Sequence, residues 1–339
     1  MNPATHPRGD TLADRLLVVD PRRCTLRDAR VGALGSYLRA GDLLVVNDAA
    51  TLPASLRATA PSGAAMEVRL AGERSPGRWT VVLFGAGDWR TPTEYRPAPE
   101  AVCPGDSLRF GEGLAATVVS VTALSPRLVD LRFDREGAAL WSALYRLGRP
   151  VQYSYLEADL SLWDVQTAYA ARPWAVEMPS AGRPLRGSLL ADLVASGVRL
   201  AAVTHAAGLS STGDPRIDAA LPLPERFEVP AATRAAVRAT RARGGRVVAV
   251  GTSVVRALTA AEGAPGEGTV AGVAEVIVRP GDRPVVDGLL TGMHSPGTSH
   301  HDLLAAFVPH GLLRAADAHA ADAGYLAHEF GDSCLVLAA

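Results

Sequence analysis

The chain has 339 residues, 48% of them hydrophobic and 20% charged, so it can build a packed core and is unlike a disordered chain. Its formal net charge of −1 argues against a strongly basic clamp for nucleic acid or membrane. All 34 lysine-or-arginine positions are arginine, which excludes Schiff-base pyridoxal enzymes and phosphate loops ending in Gly-Lys. The three cysteines lie far apart with no CxxC pair, which excludes a disulfide framework and a zinc finger.

The first part of the chain predicts a strand over Leu16–Val19, a helix over Val31–Leu38 and a strand over Asp42–Val46. Further on, short β-type runs recur, broken by Gly, Pro and Asp at intervals of about eight to twelve residues, which is typical of a small sandwich or barrel. These runs are Met66–Leu70, Trp79–Phe84, Ser107–Phe110, Ala115–Val121 and Leu128–Phe133. A helical pattern over Gly137–Leu147 closes this region.

After residue 150 the pattern alternates between helix and strand, which indicates helices packed on a largely buried sheet. The predicted helices are Leu185–Ala195, Thr233–Arg243, a helix through Ala261, His301–Phe307 and a last helix ending near His328. The predicted strands are Val198–Thr204, Arg246–Val250, Val270–Val278, Val285–Thr291 and Cys334–Leu337.

These patterns predict an α/β fold in which a discontinuous main domain is interrupted by an inserted all-β, barrel-like domain. We expect the main, catalytic domain to comprise residues 1–57 and 150–339, and the inserted domain residues 58–149. The segment MNPATHPRGD lacks the apolar core of a signal peptide, and no run approaches about 18 unbroken apolar residues. We therefore expect a cytoplasmic protein that has no membrane partner. The sequence does not determine the oligomeric state, for which a monomer is favoured.

The segment Gly251-Thr-Ser253 follows a predicted strand and opens a helix. Its glycine permits a tight turn, and the free amides of the first helical turn favour an anion such as a carboxylate or phosphate. Simple capping of the helix is the alternative interpretation. Asn47 and Asp48 end another strand, on the side where open α/β sheets bind ligands, although an Asx turn would also place them there.

Two other classes of site find little support. His294, His300, His301 and Asp302 lie in one short segment, but without HExxH spacing or a second ligand cluster, so we expect no bound metal. The sequence lacks the Gly-x-Ser-x-Gly motif of a nucleophile elbow, which argues against a serine hydrolase.

Several short motifs, taken in order, resemble one family. Asp42-Leu-Leu-Val-Val-Asn-Asp48 and Leu52-Pro-Ala-Ser-Leu56 come first, and Phe330-Gly-Asp332 comes last. Between them lie Gln166-Thr-Ala-Tyr-Ala170, Met178-Pro-Ser-Ala-Gly182, Val203-Thr204, Val248-Ala-Val-Gly-Thr-Ser253 with Arg256, and Leu290-Thr-Gly-Met-His-Ser-Pro296. Together they resemble the S-adenosylmethionine:tRNA ribosyltransferase-isomerases of queuosine biosynthesis.

The resemblance implies an enzyme that transfers and isomerises the ribosyl part of S-adenosylmethionine onto a 7-aminomethyl-7-deazaguanine base in tRNA. Epoxyqueuosine forms, and adenine and methionine are released. S-adenosylmethionine is then a co-substrate, tRNA the partner, and no cofactor is needed. On this basis we expect His294, with Thr298 or Ser299, to contact the reacting groups. The expected substrate-binding residues are Asn47, Asp48, Gln166, Tyr169, Ser180, Thr204, Gly251, Thr252, Ser253 and Arg256.

Three histidines of the family motifs are replaced here, by Pro184, Ala206 and Leu223. His205 lies one place before Ala206, but neighbouring strand residues face opposite sides, so it is no automatic substitute. The changes leave two alternatives open. One is a paralogue that uses S-adenosylmethionine with a non-tRNA acceptor, and the other is a catalytically inactive nucleotide-binding protein of the same fold.

Overall fold

Two large sheets organise the residues that the computed structural model describes, 1–276 and 278–338. The chain begins with β1 (Asn2–Pro3), β2 (Arg15–Asp20), β3 (Thr25–Arg30), β4 (Leu43–Asn47) and β5 (Ala49–Thr51). It then forms β6 (Ser55–Thr59), β7 (Ala65–Ser75), β8 (Arg78–Phe84), β9 (Ser107–Arg109), β10 (Ala115–Val121), β11 (Leu128–Phe133) and helix α1 (Gly137–Leu147). Among the described residues, no helix has the length and apolarity needed to cross a membrane.

The remaining elements alternate, as the sequence pattern predicts. They are β12 (Arg172–Ala175), α2 (Gly187–Ala195), β13 (Arg199–His205), α3 (Pro215–Asp218), β14 (Glu225–Val229), α4 (Ala231–Ala242), β15 (Val247–Val250), α5 (Thr252–Ala260) and β16 (Val270–Ala274). β17 (Gly288–Gly292), α6 (Ser299–Leu304), α7 (His310–Asp322), β18 (Leu326–Ala327) and β19 (Ser333–Leu337) complete the chain.

The main sheet has nine strands in the order β16-β14-β13-β4-β15-β17-β19-β2-β3. Its centre, β13-β4-β15-β17, is parallel, and β14 and β19 flank that centre in antiparallel orientation. β4 and β15 are buried along their whole length, as expected for strands covered on both faces. The parallel centre brings the carboxyl ends of four strands to one edge of the sheet.

Each face of the main sheet has its own apolar core. On one face, Leu43, Val45 and Ala249 belong to a cluster that includes buried residues of α4, α5, α6 and α7. On the other, Leu44 and Val46 pack with buried residues of α2 and of the 3₁₀ helix Val31–Ser36. Alternate residues of β4 therefore serve opposite cores, which follows from the two-residue period of a strand.

The second large sheet is a closed barrel in the order β10-β11-β8-β7-β6-β9. A third apolar cluster contains the barrel residues Trp79, Phe84, Phe110 and Leu131, and it extends to Leu209 and Ile217 outside the barrel strands. The chain enters and leaves the barrel side by side, because Ser55 and Arg149 exchange two backbone hydrogen bonds of 2.9 Å. The α/β fold with a barrel is confirmed. The expected boundary after residue 57 falls inside β6, and the division into domains stays a prediction.

Several sequence-based boundaries differ from the structure. The helix expected over Val31–Leu38 is a 3₁₀ helix over Val31–Ser36, and its two glycines disfavour a longer α-helix. The last helix ends at Asp322, well before His328, whose backbone is left-handed with φ of 68°. The strand expected over Val270–Val278 ends at Ala274, and its residue 277 lies outside the described residues.

Candidate active site

Asn47 links three elements at the carboxyl edge of the main sheet. It ends β4 and is 1% exposed. Its Nδ2 donates to the carbonyl of His205 (2.9 Å) and to Ser253 Oγ (3.2 Å). Its Oδ1 accepts from the backbone amides of His205 (2.9 Å) and Ala49 (3.1 Å). One amide side chain thus joins the ends of β4 and β13 to the first turn of α5.

Asp48 and Thr204 form a second contact between the same two strands. Thr204 Oγ1 donates to Asp48 Oδ1 at 2.6 Å, and the carbonyl of Asp48 accepts from the amide of Ala171 at 2.8 Å. Burial and the charge of Asp48 raise the pKa of Tyr169, so its phenol stays protonated. The Tyr169 hydroxyl packs against Gly182, where an added Cβ would lie 1.9 Å from it.

The turn Gly251-Thr252-Ser253 connects β15 to α5. Gly251 has φ of 90°, a conformation that other residues rarely adopt, and its amide donates to the carbonyl of Leu290 in β17 at 2.8 Å. It precedes α5 without a side-chain hydrogen bond to the first turn. Thr252 is buried, and the half-buried Ser253 is the partner of Asn47. The turn therefore offers the helix amides on which the predicted anion site depends.

Arg256 is held by the protein itself. Its guanidinium donates to the carboxylate of Glu225 and to the carbonyls of Val276 (3.2 Å) and Ala274 (3.3 Å). Glu225 also accepts from the amide of Gly208 at 2.5 Å, and burial raises its pKa against the lowering effect of Arg256. The expected role of Arg256 as a substrate's charge partner stays a prediction, since its guanidinium already has three partners within the fold.

His205 ends β13 and faces this ion pair. It is completely buried, its Nε2 lies 3.6 Å from Glu225 Oε2, and neither ring nitrogen has a hydrogen-bond partner among the described residues. Burial, with a smaller contribution from Arg256, lowers the pKa of His205 to about 3. The ring is therefore neutral at physiological pH and occupies the interior rather than the place of the missing family histidine at Ala206.

His294 follows β17 at the same edge of the sheet. Its Nε2 lies 2.7 Å from Thr291 Oγ1, and its ring stacks on His300 with centroids 5.0 Å apart. Burial and the neighbouring His300 lower the pKa of His294 well below its ordinary value, which leaves the imidazole neutral. Thr298 and Ser299 are exposed at the start of α6, and Thr298 Oγ1 caps that helix by accepting from the amide of His301.

Gln166 contacts β5, and Ser180 lies in a turn beside Gly251. Gln166 binds the backbone of Thr51 twice, with Oε1 accepting at 3.0 Å and Nε2 donating at 2.9 Å. Ser180 begins a short 3₁₀ turn over Ser180–Gly182 and is half-buried. Ala181 of that turn faces Gly251, because a Cβ on the glycine would lie 3.4 Å from Ala181 Cβ. The binding roles of both residues stay predictions.

The structure also contains a cavity that the sequence reasoning missed. It is small, with about 10 Å³ of space for the centre of a water molecule, and is lined by Thr51, Val151, Leu160, Val165, Glu177, Met178, Glu329 and Phe330. Two glutamates face it. Tyr153 donates its hydroxyl to Glu177, and Tyr155 donates its hydroxyl to Glu329. Burial and the charge of Glu329 raise the pKa of Glu177 to about 7, and burial raises the pKa of Glu329 as well.

The structure thus brings some predicted residues into direct contact and separates others. Asn47 contacts Ser253, and Asp48 contacts Thr204. His294 lines a second small cavity with mostly apolar walls. The walls of these two cavities include neither Asn47 nor Gly251. The one available signal for Glu177 and Glu329 was their position beside the motifs at Met178–Gly182 and Phe330–Asp332.

Comparisons with known proteins agree with this fold. A family model described as queuosine biosynthesis protein matches residues 2–336. An S-adenosylmethionine:tRNA ribosyltransferase-isomerase of Methylobacterium radiotolerans is 36% identical, with 98% of this chain and 93% of the relative covered. The protein of that name from Acidithiobacillus ferrooxidans is 35% identical, with 98% and 94% covered.

A solved structure extends the similarity to three dimensions. The crystal structure of S-adenosylmethionine tRNA ribosyltransferase from Thermotoga maritima superimposes with a TM-score of 0.54 at 25% identity, covering 99% of this chain and 96% of that one. The match covers nearly the whole chain and places it in the class of S-adenosylmethionine-dependent transferases with this α/β fold. The chain belongs to the queuosine biosynthesis family of S-adenosylmethionine:tRNA ribosyltransferase-isomerases, as the motif resemblance predicted.

Proposed function

We propose that this protein transfers and isomerises the ribosyl moiety of S-adenosylmethionine onto a 7-aminomethyl-7-deazaguanine base in tRNA, giving epoxyqueuosine and releasing adenine and methionine. The observation that carries the proposal is the match of the family model to residues 2–336, which leaves no large part of the chain outside the family. S-adenosylmethionine is consumed as a co-substrate, and the proposal includes no further cofactor.

The chemistry sets three requirements on the site. The positive sulfur of S-adenosylmethionine acidifies the neighbouring C5′ hydrogens and later departs as a neutral thioether. The site therefore needs a base near C5′, hydrogen-bond donors on the departing adenine and an anchor for the methionyl carboxylate. These are tasks for side chains and backbone amides at the edge of the main sheet.

We assign these tasks to residues at the ends of β4, β15 and β17. The amides of Thr252 and Ser253 suit a carboxylate anchor, because the positive end of α5 starts there, whereas the amide of Gly251 is bound to Leu290. The base is assigned to His294, whose Nε2 lies 2.7 Å from Thr291 Oγ1. Asn47 and Asp48 hold the geometry of this edge through their contacts with β13 and α5.

The three replaced histidines bear on whether tRNA is the acceptor, so this part of the proposal is the most informative to test. Pro184, Ala206 and Leu223 supply neither a proton nor a ring hydrogen bond, so the polar groups of the three family histidines are absent here. This observation favours, as a second candidate, an enzyme that consumes S-adenosylmethionine with a small acceptor. A tRNA acceptor also implies that the protein works in the cytoplasm.

The test is adenine release from S-adenosylmethionine, measured by chromatography in three reactions. One contains tRNA that carries 7-aminomethyl-7-deazaguanine, one contains the free base, and one contains unmodified tRNA. Adenine release only in the first reaction supports the proposal, and release with the free base supports the second candidate. Binding of S-adenosylmethionine without adenine release in any reaction would contradict both.

A further inference from the structure

We propose that the cavity beside β5 is a subsite for a cationic group of the substrates and that Glu177 and Glu329 bind that group. The inference rests on the proposed function, because both proposed substrates carry cations. S-adenosylmethionine has a sulfonium and an α-ammonium group, and the acceptor base has an aminomethyl group. All three groups are compact cations, and calorimetry with different probes separates them.

The residues that line this small cavity suit such a group. Its walls are apolar on several sides, formed by Val151, Leu160, Val165 and Phe330, and the thioether of Met178 adds a polarizable surface. A small apolar pocket with a few convergent polar groups is the usual form of a ligand site. The two carboxylates are the charged groups of this lining, so their position within it determines the charge of the ligand that fits.

Neither glutamate has a cationic partner among its described hydrogen bonds and ion pairs. Glu177 accepts from the hydroxyl of Tyr153 and from the amide of Ser210 at 2.9 Å. Glu329 accepts from the hydroxyl of Tyr155. These donors are neutral, so they satisfy hydrogen bonding without offsetting the negative charge. A bound cation would supply the positive charge that these neutral donors do not provide.

The surrounding charges reinforce this imbalance. Glu225 on β14 and Glu177 repel each other electrostatically, as do Glu177 and Glu329. The guanidinium of Arg69 lies 5.5 Å from the centre of the Tyr153 ring, but it is bound to Glu67 at 2.6 Å. The other titratable ring nearby, His328, stacks on Tyr155 with centroids 4.3 Å apart, and burial lowers its pKa.

A consequence is that binding of a cation releases protons. Glu177 has a pKa of about 7 in the free protein and therefore carries a proton part of the time near neutral pH. A cation stabilises its ionised form and lowers that pKa, so a proton leaves when the ligand binds. The affinity for the cationic ligand then rises as the pH rises through about 7.

Isothermal titration calorimetry tests the subsite directly, with Glu177→Gln and Glu329→Gln as charge-removing variants of similar shape. Glu157→Gln serves as the control, because Glu157 is an exposed glutamate that does not line the cavity. The probes are S-adenosylmethionine, S-adenosylhomocysteine, 7-aminomethyl-7-deazaguanine and its neutral 7-cyano analogue. Titrations in two buffers of different ionisation enthalpy report the protons released.

We expect each variant to lose about tenfold or more in affinity for the probe whose cation occupies the cavity, while the control keeps wild-type affinity. A loss with S-adenosylmethionine but not with S-adenosylhomocysteine assigns the sulfonium, and a loss with both assigns the α-ammonium. A loss with the aminomethyl base but not with the cyano analogue assigns the acceptor. Each of these outcomes supports the subsite.

Two results overturn the inference alone. In the first, both glutamine variants bind the cationic probes with the affinity of the wild-type protein. In the second, the wild-type protein binds every cationic probe without releasing protons near pH 7. Wild-type protein that binds none of the four probes contradicts the proposed function together with the inference. The wild-type measurements need no variant, so they decide the matter even where a substitution impairs folding.

Discussion

Replacement of Arg256 by methionine tests whether this residue supports the fold or anchors a substrate. The substitution keeps much of the apolar stem but removes the guanidinium that binds Glu225 and two backbone carbonyls. It leaves the Glu225 carboxylate buried without a countercharge, which costs about 3–5 kcal/mol of stability when a buried pair is broken. We therefore expect Arg256→Met to lower the free energy of unfolding by about that amount at about pH 8.

The deficit should depend on pH in a defined direction. Burial already raises the folded-state pKa of Glu225, and loss of Arg256 raises it further above the value of 4.5 that an exposed glutamate has. The folded variant therefore binds a proton more tightly than the unfolded chain does, and its stability falls as pH rises through the folded-state pKa. The difference between variant and wild type in the free energy of unfolding should therefore shrink at lower pH, where the Glu225 carboxyl of the variant is protonated. It should shrink by about 1.4 kcal/mol for each unit by which loss of Arg256 raises the pKa of Glu225.

Urea unfolding at about pH 8 and about pH 5.5, followed by circular dichroism, measures both effects. Arg238→Met is the matched control, because Arg238 on α4 forms an exposed ion pair with Glu267 at 3.1 Å. Such exposed pairs contribute about 0–1 kcal/mol to stability. An Arg256→Met protein with wild-type stability at both pH values but weakened binding of S-adenosylmethionine would refute the structural role and establish the anchor.

Three further substitutions test the edge of the main sheet. Asn47→Ala removes the hydrogen bonds to His205, Ser253 and Ala49 and should cost about 2–4 kcal/mol in urea unfolding, whereas a stable protein with unchanged adenine release would show that these bonds contribute little. Gly251→Ala places a Cβ at φ of 90° and should lower stability by about 1–2 kcal/mol and weaken binding of S-adenosylmethionine, measured by thermal unfolding and calorimetry; Gly268→Ala, at an exposed glycine with open space around it, is the control. His294→Ala should leave the fold intact and reduce turnover at least tenfold, about 1.4 kcal/mol of barrier, and a wild-type rate of adenine release would remove His294 from the proposed machinery.

Much of the main sheet could be predicted because its central strands carry their own signal. Leu43–Asn47 and Val247–Val250 are short apolar runs that end at polar or glycine residues, a pattern typical of buried parallel strands. The contact of Asn47 with Ser253 follows from that arrangement, since parallel strands end at one edge. The turn at Gly251 was likewise visible in the sequence, because a glycine after a strand permits a positive φ.

The cavity with Glu177 and Glu329 could not be predicted from local patterns. Its walls come from irregular segments without a helical or strand period, and only tertiary packing brings Val151, Glu177 and Glu329 together. The role of Arg256 was obscured for a related reason. Its partner Glu225 lies on β14, a short strand that the sequence reasoning did not identify, so the ion pair became visible only in three dimensions.

The proposed function requires that the ribosyl part of S-adenosylmethionine, and not its methyl group, reaches the acceptor. The decisive measurement uses co-substrate labelled separately in the ribose and in the methyl group, with tRNA that carries 7-aminomethyl-7-deazaguanine, followed by mass spectrometry of the tRNA nucleosides. We predict that the ribose label enters the modified nucleoside in an amount equal to the adenine released. Methyl label in the nucleoside, with S-adenosylhomocysteine as the by-product, would contradict the account.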